Sequence, residues 1–135
     1  MATKIDTLEG VGPALAEKFA GAGVKNVEDL LEAGKTPSGR GKLSDATGLS
    51  EKRILTFVNM ADLMRIKGVG GEYAELLQAS GVDTVKELRR RNAENLATKM
   101  DEVNAEKELT RTVPNAKTLQ GWIDQAGEMD PVVEY

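Results

Sequence analysis

Leu8-Glu9-Gly10-Val11-Gly12-Pro13-Ala14-Leu15-Ala16 and, 58 positions further on, Ile66-Lys67-Gly68-Val69-Gly70-Gly71-Glu72-Tyr73-Ala74 carry the same glycine-valine-glycine step. Over residues 8–30 and 66–88 the two stretches share nine identities in 23 positions, a level that marks internal duplication. After the glycines, apolar residues recur at helical spacing: Leu15, Phe19 and Ala22 in the first copy, Tyr73, Leu76, Leu77 and Ala79 in the second. Gly23 and Gly81 then stand where a helix needs a left-handed stop, and Asn26 and Thr84 suit the N-cap of a following short helix. Each copy reads as helix, tight glycine turn, helix and short helix. A fainter echo, at a shift of 65, pairs residues 50–61 with 115–126 and sets Phe57 opposite Trp122. Helical spacing (Ile54, Phe57, Val58, Ala61; Leu119, Trp122, Ile123, Ala126) makes these the long second helices of two halves. The expected fold is all-α, one compact domain of two similar halves, residues 1–65 and 66–128, with 129–135 as a C-terminal tail.

The 135 residues, 40% apolar and 4% aromatic, suffice for one core. No run alternates with the period of a strand, and no stretch reads as a membrane span or secretory signal. The absence of cysteine makes the cytoplasm the expected compartment. With no histidine and no cysteine there is no imidazole base, thiolate nucleophile or zinc set, so no enzyme is expected. Two phosphate-loop readings fail on their residues. Gly34-Lys35-Thr36-Pro37-Ser38-Gly39-Arg40 has the Walker glycine spacing but Arg40 in place of the lysine and no strand before it; Gly10-Val11-Gly12 lacks a third glycine, since position 15 is Leu.

The formal charge of −4 is unevenly spread. Residues 1–91 hold 14 Lys and Arg against 13 Asp and Glu, whereas residues 92–135 hold 4 against 9. Positive charge gathers at Lys35, Arg40 and Lys42, at Arg65 and Lys67 beside the second turn, and at Lys86, Arg89, Arg90 and Arg91. Local potential within a Debye length, roughly 8–10 Å, decides whether such clusters attract a polyanion, although a solvated helix face accounts for any one of them.

The turn residues have a geometric logic. Glycine takes positive φ without a Cβ clash, Val11 and Val69 plug the core between the glycines, and Pro13 suits the first position of a helix. Backbone N–H groups at the start of that helix lack intrahelical partners and favour an anion. At these residues the chain resembles the helix-hairpin-helix family, whose hairpin reads glycine, apolar residue, glycine and, after three residues, alanine: Gly10, Val11, Gly12 and Ala16; Gly68, Val69, Gly70 and Ala74. Through Thr36-Pro37-Ser38-Gly39-Arg40 and Val58–Gly70 the whole chain is similar to a bacterial family of unknown function with tandem helix-hairpin-helix units. The resemblance implies binding of duplex or branched DNA without sequence specificity, Gly10, Gly12, Gly68 and Gly70 offering amides to phosphates, with Val11, Val69, Arg65, Lys67, Lys35, Arg40 and Lys42 around them. It implies no cofactor beyond a monovalent cation at a hairpin, and degenerate hairpins at Thr47-Gly48-Leu49-Ser50 and Thr112-Val113-Pro114-Asn115. Glu72, two residues past Gly70, would repel a phosphate, so a protein-interaction adaptor built on the same fold stays open beside DNA binding. The second turn, flanked by Arg65 and Lys67 where the first has Glu9, is expected to make the stronger contact.

Overall fold

The computed structural model describes residues 3–135 and is all-helical: eight α-helices and no strand occur among them. A single 3-10 turn, Ile5–Thr7, is followed by α1 (Pro13–Gly21), α2 (Val27–Gly34), α3 (Pro37–Thr47), α4 (Glu51–Leu63), α5 (Gly71–Ala79), α6 (Val85–Leu88), α7 (Ala93–Lys107) and α8 (Ala116–Gly127). The chain forms two compact units: one comprises Met1–Asp62 with Val132–Tyr135, the other Leu63–Pro131. The stretch read from sequence as a tail is thus divided, its last four residues completing the first unit.

Helix ends follow the local chemistry of the sequence. Gly23 (φ 85°) and Gly81 (φ 93°) close α1 and α5 with the same pair of bonds: Gly23 N–H to Ala20 C=O and Val24 N–H to Phe19 C=O, Gly81 N–H to Gln78 C=O and Val82 N–H to Leu77 C=O. That is the Schellman arrangement, which satisfies carbonyls a helix end otherwise leaves open. Asn26 caps α2 by accepting the Asp29 N–H at 2.7 Å. At α6 the Glu87 carboxylate accepts from both the N–H and the hydroxyl of Thr84. Just before that cap Asp83 has its carboxyl raised above the usual range by burial and, secondarily, by the negative charge of Glu87. Ser50 and Asn115 cap α4 and α8 through the N–H groups of Arg53 and Thr118.

The first unit buries Leu8, Phe19, Leu30, Ile54 and Val58 where α1 and α2 pack on α3, with Phe57 of α4 against Phe19 and Val58 against Gly34. Close approach there explains two glycines that mimic a phosphate loop in sequence. A methyl on Gly34 would overlap Val58, and a methyl on Gly39 would overlap the carbonyl oxygen of Ala33. A backbone atom cannot swing aside as a side chain does, so Gly39→Ala is expected to cost about 1–3 kcal/mol through overpacking. Thermal unfolding measures it, and a variant as stable as wild type would sink this account. The second unit buries Leu76, Leu77, Leu88, Leu96, Met100 and Leu119 among α5, α6, α7 and α8.

Two expectations are corrected. No α-helix precedes the first glycine turn; the chain there makes only the 3-10 turn, because its start is drawn into extended pairing with the α2 N-terminus. Lys4 bridges antiparallel to Asn26, Val27 N–H reaches Thr3 C=O at 2.9 Å, and Thr3 N–H reaches Glu28 Oε1 at 2.8 Å. The second correction concerns Thr112–Asn115. Thr47–Ser50 is a short link between helices with Gly48 at φ 78°, whereas α7 ends at Lys107, capped by Glu108 (φ 51°), well before position 112. The extra residues are held by Asn104, whose carboxamide bonds both the N–H and the C=O of Thr110 at 2.9 Å.

Candidate functional site

Both glycine turns have the same backbone build. Gly10 and Gly68 take φ values of 90° and 100°, a region costly for any residue with a Cβ. Val11 N–H closes on Leu8 C=O at 3.1 Å and Val69 N–H on Ile66 C=O at 3.2 Å, and both valine side chains are buried. Gly12 and Gly70 then cap α1 and α5 with identical torsions, φ −91° and ψ −173°. Their carbonyls accept the N–H groups of Ala16 and Ala74, each at 2.9 Å, the first intrahelical bonds of α1 and α5.

Each turn rests on an aromatic ring of its own unit. A methyl on Gly10 would touch the Phe57 ring edge at 3.4 Å, and one on Gly68 would meet Trp122 Nε1 at 3.0 Å. Phe57 in turn meets Phe19 of α1 edge-to-face with ring centroids 6.2 Å apart, and Trp122 meets Tyr73 of α5 at 5.5 Å. The aligned pair Phe57 and Trp122 thus supports the two turns from below. Outward, the glycines are exposed, and a Cβ at Gly12 or Gly70 would meet no atom within 4 Å. The backbone is open to close approach, and the first-turn amides of α1 and α5 lie where a helix leaves them without intrahelical acceptors.

The surroundings of the turns differ. The first turn of α1 holds no acidic residue, whereas α5 carries the exposed Glu72. Lys67 is exposed beside Gly68, its backbone fixed by Gln125, which accepts the Lys67 N–H at 2.9 Å and donates to its C=O at 3.3 Å. Arg65 is half-buried and donates to the Asp130 carbonyl at 3.1 Å. Lys35 is ion-paired with Glu32 at 2.8 Å. Lys42 is exposed at the rim of a depression lined by Ala22, Ala33, Gly39, Leu43 and Ala46.

Arg40 is placed elsewhere than the sequence reading puts it. It is only 5% exposed and donates to the carbonyls of Gly34 at 2.8 Å and Glu134 at 2.6 Å, while Glu134 N–H reaches Lys35 C=O at 2.7 Å. Its guanidinium fastens the last residues of the chain to the α2 end and is withdrawn from the surface. Sequence reasoning also misses Arg53, which is exposed on α4 with its guanidinium carbon 5.6 Å from the Phe57 ring centroid. The i to i+4 spacing of a cation and an aromatic was the available signal. Gln125 carried none, since a carboxamide reading a distant backbone obeys no spacing rule.

Among the described residues no helix is long and apolar enough to cross a membrane. Neither the curated proteins nor the solved structures contain a match to this chain. A family model does match, over residues 9–129, taking in both glycine turns and all eight helices; the chain belongs to that family, described as Domain of unknown function (DUF4332).

Proposed function

We propose that this protein is a tandem helix-hairpin-helix module that binds duplex or branched DNA without sequence specificity and without catalysis, through backbone amides at its two glycine turns. The observation that carries the reading is the pair of open turns with identical Gly12 and Gly70 torsions, each followed by a helix of nine residues and each backed by an aromatic ring. Such amides with a helix dipole behind them suit a phosphate oxygen. Few aromatics are exposed, so base stacking is not the mode. Arg40 is withdrawn; of the other cations read beside the turns, Lys67 and Lys42 are exposed, Arg65 is half-buried and Lys35 is paired with Glu32.

One observation favours a second reading, a protein adaptor. Glu72 in the first turn of α5 already offsets the positive end of that helix. The experiment follows from it. Glu72→Lys removes a carboxylate and adds a cation beside Gly70, so DNA affinity should rise by roughly tenfold or less at low salt if a phosphate sits there, about what one added phosphate contact contributes. An adaptor for a protein gains nothing. No binding of duplex or junction DNA by wild type at low salt, together with none by Glu72→Lys, ends the DNA reading.

A further inference from the structure

We infer that Arg53 is a phosphate-binding residue of the first glycine turn, so that this turn, and not only the lysine-flanked second one, engages DNA. The inference rests on the DNA reading above. Its structural basis is the Phe57 ring, which links two features of the same unit. The ring edge lies under Gly10, where a methyl would sit 3.4 Å away, and the ring also carries the Arg53 guanidinium at 5.6 Å from its centroid. A guanidinium held over an aromatic ring by cation–π attraction retains N–H donors for an oxyanion, and that attraction limits the side-chain freedom it must give up on binding. Arg53 forms no ion pair among the described residues, whereas Lys35 is paired with Glu32. The helix behind this turn carries no first-turn acid, while the second turn contends with Glu72. At the position aligned with Arg53 the second unit has Thr118, so the device belongs to the first turn.

The experiment is a salt series of binding to a short fluorescent duplex by wild type and the Arg53→Gln, Arg53→Lys and Lys18→Gln variants of the full chain. Arg53→Gln is expected to weaken binding about eightfold near 0.1 M salt and to lower the log-log salt slope by about 0.9, the signature of one lost phosphate contact. Arg53→Lys should keep the slope, and Lys18→Gln, which removes a charge elsewhere on α1, should change neither. The Arg53→Gln melting temperature should stay within a few degrees of wild type, as for an exposed cation over a ring. If wild type binds and Arg53→Gln matches Lys18→Gln, the inference is overturned while the DNA reading stands. Weakening without a change of slope also overturns it, since that marks a structural role. If wild type binds no DNA, the reading fails and the inference fails with it.

Discussion

Trp122→Ala should lower the unfolding free energy by about 3–5 kcal/mol, the usual cost of emptying a buried aromatic site. Trp122 is 5% exposed, packs on Tyr73 and lies against the place a Gly68 side chain would take, so truncation removes core contacts and the floor of the second turn together. Phe57→Ala should cost a similar amount in the first unit, where the ring meets Phe19 and underlies Gly10. Because Trp122 is the only tryptophan, its emission reports on the second unit. Urea unfolding followed by circular dichroism gives both losses, and the Trp122 emission of folded wild type should be blue-shifted. A loss below about 1 kcal/mol, or a solvent-like emission maximum, is incompatible with the packing described.

DNA binding should fall steeply with salt. Lys67, Lys42 and Arg53 leave room for about two or three phosphate contacts, hence a log-log slope near −2 to −3 and roughly a 10- to 40-fold loss of affinity between 50 and 200 mM salt. Affinity at physiological salt should be micromolar or weaker, as for non-specific binding in general. Charge reversal at Lys67 should reduce affinity and slope more than reversal at Lys4 or Lys18. A salt-independent interaction, or equal losses from all three reversals, would show that the turns do not hold the phosphates.

Much of the fold was legible because local chemistry decided it. Gly10, Gly23, Gly68 and Gly81 all take the left-handed backbone that their neighbours require, and Asn26, Ser50, Thr84 and Asn115 sit at helix starts. The apolar spacing of Ile54, Phe57, Val58 and Ala61 marked a buried face without help from any other segment. What escaped depends on contacts distant in sequence. Arg40 looked like a surface cation until Glu134 came to meet it, and nothing near Ile5 says that Thr3 and Lys4 pair with the start of α2. The site was half legible for the same reason. The glycines announce their own geometry, whereas the value of Arg53 depends on which side of Phe57 faces the turn.

The bond from Arg40 to the Glu134 carbonyl spans 94 positions, which bears on how the molecule is made. A ribosome adding about 5–20 residues per second needs roughly 5–20 s to deliver Glu134 after Arg40. Throughout that interval the nascent first unit is missing its closing segment, and the Arg40 guanidinium has only the α2 carbonyl of Gly34 and water to engage. The second unit, continuous in sequence, has all of its residues synthesised before the first has received its last. Order of synthesis and order of completion are therefore reversed: the half that begins first is finished last.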